Sequence, residues 1–198
     1  ILDDIMKVHV THKHMTPVLA RRALENFIDV LDPAKVYFTG EELAAWLNPS
    51  EELLSRVVVG VSEADFTVFE EINNAMKDAI IRRNGNEERV MAMELPDDVD
   101  VEEFQDMTWA EDEAALFERL TRLKSLQLAN AEKIDDEELR EKALQRVKKR
   151  RSNREDDFLE EGILERKRMV LAYVLKAFAL AFDAHTAYFT PGEATQFM

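Results

Sequence analysis

His9, His12 and His14 form an H-x-x-H-x-H cluster near the start of the chain, and closely spaced imidazoles are common ligands for transition metals. His9 and His12 can share a helical face, but His14 falls off it and no acid is placed to orient the rings. The cluster reads as solvated or corner-packed histidine rather than a metal site. Asp98, Asp100 and Glu102 alternate as in a calcium loop, yet the glycine for the sharp bend and the glutamate at the twelfth position are missing. Nucleophilic hydrolysis needs a serine on a strained turn, with a base in reach and fixed backbone donors for the oxyanion. Ser50, Ser55, Ser62, Ser125 and Ser152 all fall in capping or helical contexts. Five scattered glycines cannot build a phosphate cradle, and no dinucleotide fingerprint, Walker loop or H-E-x-x-H occurs. The absence of cysteine excludes disulfides, thiolate chemistry and cysteine-type zinc sites. No catalytic residue, cofactor or metal is expected, and the residues point to a non-catalytic domain.

Charge is concentrated in two blocks. Residues 86–113 hold twelve acids against one base, Arg89, and so carry −11 of the chain's −15. Residues 142–154 hold seven bases and no acid. The blocks could be a cation-binding acidic loop and a nucleic-acid patch, or solvated faces that complement one another. The second reading is favoured, because a net −15 opposes approach to a phosphate backbone and no aromatics interleave the bases. No nucleic-acid partner is expected.

The elements that carry these residues are helical. A chain of 198 residues is slightly more than one typical domain, and five Gly with five Pro leave too few turns for a sheet-rich fold. The longest apolar stretch, Met169 to Phe182, is too short to span a bilayer and contains Lys176, so no transmembrane segment is expected. Thr16 before Pro17 starts a helix over 17–31, with Leu24, Phe27, Ile28 and Leu31 at helical spacing. Thr39 with Glu42, Asn48 with Pro49 and Glu51, Ser62 with Asp65, and Thr108 with Glu111 predict four further starts. From Ser62 a stripe of Phe69, Ile72, Met76 and Ile80 runs to Asn84-Gly85, a left-handed stop signal. Residues 85–108, with Pro96 among acids, read as an acidic irregular excursion, and Met76, Met91 and Met93 as core filling. A helix then carries Leu116, Leu120 and Leu123, another spans roughly 136–155, and a last one runs from about Asp157 to Phe182 as the buried centre. The expected fold is all-α, a single multi-helix domain of about six to eight helices with one long buried C-terminal helix.

Two segments repeat a D-x4-Y-F-T pattern after an apolar helix, Asp32 to Thr39 and Asp183 to Thr190. Each can act as a corner: the aspartate turns the chain, the Tyr-Phe pair pins it, and the threonine launches the next helix, with Thr190 followed by Pro191 and Glu193. Phe38 can also staple to Leu43 across the Thr39 cap.

These corners carry a resemblance. The segment His9 to Phe38, the middle from Trp109-Ala110 through Leu116, and the closing Asp183-Ala184-His185-Thr186-Ala187-Tyr188-Phe189-Thr190-Pro191 resemble the tail-specific, or C-terminal-processing, serine peptidases of bacteria. The last segment is similar to that family's Asp-Pro-His-Thr/Ser-x-Tyr motif, with Ala184 standing where the family usually has Pro. The resemblance covers essentially the whole chain and marks Asp183, His185, Thr186 and Tyr188, with Asp32, Tyr37 and Phe38, as structural motif residues.

The resemblance implies the helical N-terminal domain of a cell-envelope or periplasmic serine endopeptidase that processes proteins from their C-termini. Residues 183–198 would then lead towards a PDZ domain, and a Ser-Lys dyad would lie beyond it, neither within this chain. It further implies a removed signal, which fits the start at Ile1 inside an apolar pattern. Such a domain would serve homodimerisation, scaffolding and the gating of unfolded or C-terminally tagged polypeptide substrates. The alternative is a chaperone-like or adaptor-docking role independent of proteolysis.

Overall fold

Thr16 caps the first helix as its spacing predicts: its hydroxyl accepts the Leu19 amide at 3.3 Å, and α1 runs Pro17–Leu31. A computed structural model describes residues 14–159, 162–183, 186–190 and 194–195, so His9, His12, His185, Pro191 and Glu193 lie outside the described residues. Six further α-helices follow among the described residues: α2 Gly40–Leu47, α3 Glu51–Glu63, α4 Thr67–Met91, α5 Glu113–Glu132, α6 Glu137–Leu159 and α7 Ile163–Phe182. A 3-10 turn covers Val101–Phe104. The class is all-α; among the described residues the only extended pairing is an isolated bridge between Thr39 and Ala110.

Three of the predicted starts move by two to five residues. Ser50, not Asn48, caps α3 through the Leu53 amide. Ser62 sits inside α3 and donates to the Val59 carbonyl, while Asp65 takes the Thr67 amide and hydroxyl at the start of α4. The residues after Thr108 pair instead with the start of α2, Gly40 donating to Ala110 and Glu41 to Glu111, so the cap of α5 passes to Asp112. The Asn84-Gly85 stop is not used either. A glycine inside a helix costs about 1 kcal/mol, and here the Arg83–Glu87 ion pair, the Arg89–Asn86 hydrogen bond and buried Val90 carry α4 through to Met91. The left-handed stop occurs at Ala64, φ 56°. The excursion accordingly begins after Met91, and of the three methionines only Met76 is buried, Met91 and Met93 being exposed. The last helix starts at Ile163 rather than near Asp157, because α6 ends at Leu159 and Gly162 occupies the N-cap of α7.

The chain divides into two compact units, one of Ile1–Pro33, Leu43–Ala75 and Glu161–Met198, the other of Ala34–Glu42 and Met76–Glu160. In the first, α1 packs against α7 and α3. Leu24, Phe27, Ile28 and Leu31 on α1 are fully buried, as are Val174 and Phe178 on α7, and the Asn26 side chain donates to the Ala177 carbonyl at 3.1 Å. The predicted burial of the last helix holds on one face, through Val170, Val174, Phe178 and Phe182, whereas Ile163, Leu164, Leu171 and Leu180 are exposed. Phe69 sits edge-on to Phe27 and to Phe178, with ring centroids 5.0 and 5.7 Å apart. Gly60 is required where it is: a Cβ there would stand 2.3 Å from the Asp65 carbonyl oxygen, which the tight turn after α3 presses against it.

Asn73, on α4 in the same unit, is buried with neither amide atom hydrogen-bonded. An unpaired buried polar group costs about 1–3 kcal/mol. Asn73→Leu, close in size and apolar, is expected to raise the free energy of unfolding by about 1–2 kcal/mol, read as a higher urea midpoint with an unchanged slope.

Candidate functional site

Of the residues marked by the corner motif, Asp32, Tyr37 and Phe38 are buried, and Tyr37 leads into the second unit's polar interior. Its hydroxyl donates to Glu155 Oε1 at 2.8 Å, across 118 residues of chain. Glu155 is 4% exposed and belongs to a ring of four charges. Arg151 Nε lies 3.2 Å from Glu155, Arg83 Nη1 lies 3.7 Å from both Glu155 and Glu87, and Arg151 Nη2 closes the ring on Glu87. Two cations and two anions cancel, which is the condition for holding charges away from water. Arg83 also stacks over the Tyr37 ring, 5.4 Å from its centroid.

The electrostatics follow from this crowding. Burial, then the hydrogen bond to Glu155 and its charge, push the Tyr37 phenol well above its ordinary value, so it remains a donor. Burial and the like charge of Arg151 pull the Arg83 guanidinium down, against the opposing pull of Tyr37, Glu155 and Glu87. Burial alone would raise the Glu87 carboxyl, but the Arg151 hydrogen bond and the charges of Arg151 and Arg83 outweigh it and hold the group below its usual range.

The same corner is held from its backbone. Arg82 Nη2 donates to the Tyr37 carbonyl at 2.6 Å and to Glu42 at 2.9 Å, and Arg119 donates to the Lys35 carbonyl at 2.8 Å. Glu42 accepts the Thr39 amide at 2.8 Å while Thr39 Oγ1 accepts the Glu42 amide, which makes the predicted capping box real. Lys35, at φ 51°, sits over Trp109, 5.5 Å from the ring centroid.

The second corner is built differently. Thr186 donates its amide to the Asp183 carbonyl at 2.9 Å and its hydroxyl to the Asp183 carboxylate at 3.4 Å, a local turn at the end of α7. Asp183 and Phe189 are exposed and Tyr188 is half-buried, whereas their counterparts Asp32, Phe38 and Tyr37 are buried. His185 lies outside the described residues.

The acidic and basic blocks partly serve one another, through Glu87 and Arg151. The excursion is tied down by Arg122, which meets Glu103 with two bonds of 2.7 Å and Asp98 at 3.2 Å, while Asp100 caps the 3-10 turn. Arg122 and the Asp100 amide lower the Glu103 carboxyl to about 2. Of the residues that suggested a calcium loop, Asp98 thus meets a guanidinium and Asp100 serves as a backbone cap.

Sequence reasoning passed over Arg83 and Glu155 and met Arg151 only as one base of the run 142–154. A signal existed: Arg83–Glu87 and Arg151–Glu155 are the same R-x-x-x-E spacing, on helices that both carry hydrophobic anchors, Val90 and Phe158.

The serines complete the chemical inventory. Ser50 caps α3, Ser62 and Ser125 donate to the Val59 and Pro96 carbonyls, and Ser55 and Ser152 lie along helices. Buried polar side chains here position a corner in an all-helical frame. The chain belongs to the tail specific protease N-terminal domain family, whose model matches residues 1–192. No curated protein matches the sequence. Among the described residues no helix is long and apolar enough to cross a membrane.

Proposed function

We propose that this chain is the non-catalytic helical domain of a tail-specific serine endopeptidase of the cell envelope, where it pairs protomers, supports the protease and gates the entry of unfolded or C-terminally tagged chains. The family match over residues 1–192 carries the reading. The placement of the serines in caps and helices supports the absence of a local nucleophile. Leu164 and Leu171, seven residues apart on α7 and 56% and 40% exposed, leave an apolar strip suited to pairing.

Light scattering of the chain at high micromolar concentration tests the pairing. The expected mass is that of two chains, reduced to one by Leu171→Asp; a monomer for the unaltered chain overturns dimerisation through this domain. An aggregation-suppression assay addresses the alternative chaperone-like role, and protection of an unfolded client by the monomeric Leu171→Asp variant would favour that alternative over pairing.

A further inference from the structure

Apart from the ring of charges, α6 presents a face that no role described so far uses. Its only buried residues are Glu155 and Phe158, so nothing from Glu137 to Arg154 is buried. Leu139, Ala143, Arg146 and Arg150 follow at four-three-four spacing, which sets them in one row along the helix, and Lys142 and Lys149 flank that row. Leu139 and all four cations are exposed. Lys142 pairs with Glu138 on its own helix, whereas Arg146, Lys149 and Arg150 form no ion pair among the described residues. We infer that this face docks an acidic amphipathic helix of a partner polypeptide, with glutamates against Arg146 and Arg150 and an apolar side chain on Leu139.

Three observations carry the assignment. Four-three spacing is the seam along which one helix packs on another, so the row is shaped for a helix. The seam opens on a leucine and continues in two arginines one turn apart, and its complement is a helix with an apolar residue followed by acids at the same pitch. The cations are also bounded. Lys142 to Arg150 spans about 12 Å of helix, with Asp135, Asp136 and Glu138 exposed before it and Asp156 and Asp157 exposed after it. A short acidic helix fits that window. A nucleic-acid backbone or an anionic bilayer extends past it and meets the acids at both ends, on a chain whose net charge is −15.

Fluorescence anisotropy of labelled, alanine-based helical peptides titrated with the full chain tests the inference. One peptide carries a leucine followed by glutamates at four-three spacing; in the second, lysines replace the glutamates. The glutamate peptide is expected to bind one to one and to lose at least about tenfold in affinity between about 0.05 and 0.5 M salt, and the lysine peptide to bind at least about tenfold more weakly at low salt. Arg146→Glu combined with Arg150→Glu should abolish binding while circular dichroism and the melting midpoint stay close to those of the unaltered chain, since both side chains are exposed. Leu139→Gln should weaken binding about fivefold without changing its salt dependence, an effect that a contact made by charge alone would not show. Absence of any response to the glutamate peptide at high micromolar concentration, unchanged binding by the double variant or by Leu139→Gln, or tighter binding of duplex DNA or phosphatidylglycerol vesicles than of the glutamate peptide overturns it.

Discussion

Glu155→Ala is expected to lower the free energy of unfolding by about 3–5 kcal/mol, enough to leave a marginal domain largely unfolded at physiological temperature. The loss comes from what stays behind. Glu155 is buried, and its removal strips Arg151 and Arg83 of one of their two anions and the Tyr37 hydroxyl of its acceptor. Breaking a buried ion pair from one side costs far more than the pair itself contributes, because an uncompensated charge remains in a poorly solvated place. Tyr37→Phe provides the scale: it removes the hydroxyl that donates to Glu155 and should cost about 0.5–1.5 kcal/mol. Urea denaturation of both variants checks the difference. If Glu155→Ala cost no more than Tyr37→Phe, the ring would be hydrated and its charges independent.

Phe69→Ala is expected to cost a similar amount, about 3–5 kcal/mol, for a different reason. Phe69 is fully buried between Phe27 and Phe178 in edge-to-face contacts, at interplanar angles of 70° and 64°. Truncation forfeits the transfer energy of the ring, leaves a cavity that two helices cannot close, and removes two aromatic contacts worth about 0.5–1.5 kcal/mol each. Phe66, only half-buried and 6.5 Å from Phe69 by centroid, is the control. Phe66→Ala should cost well under half as much, measured by the same denaturation curves. Equal losses would mean that the three-ring stack contributes little beyond burial.

The helical class and the buried last helix were legible because apolar residues recur at helical spacing over long runs such as 17–31 and 169–182. Helix starts were less so. Capping pairs are short and cheap to match by chance, and tertiary contacts select among them: the Thr108 start lost to pairing of residues 110 and 111 with α2, and the Ser62 start lost to a turn packed on Gly60. The stop at Asn84-Gly85 failed because side-chain anchoring on both sides outweighed a single glycine. At the site, Tyr37 was marked and its partner was not. Charged residues are usually solvated, so for a glutamate beside a basic run only the repeated R-x-x-x-E spacing hinted at its burial, 118 residues from the tyrosine it accepts from.

The ring of charges also acts as a registration key between α4 and α6. Arg83 faces Glu155 and Glu87 faces Arg151, so the two R-x-x-x-E pairs run in opposite directions and match at one alignment. Sliding α6 along α4 by a single turn would bring Arg83 against Arg151 and leave the remaining glutamates without partners. Helices joined only by aliphatic side chains tolerate such slips, since one leucine substitutes for another. Here a slip of about 5.4 Å exchanges attraction for repulsion away from water, so the pairing is all or none.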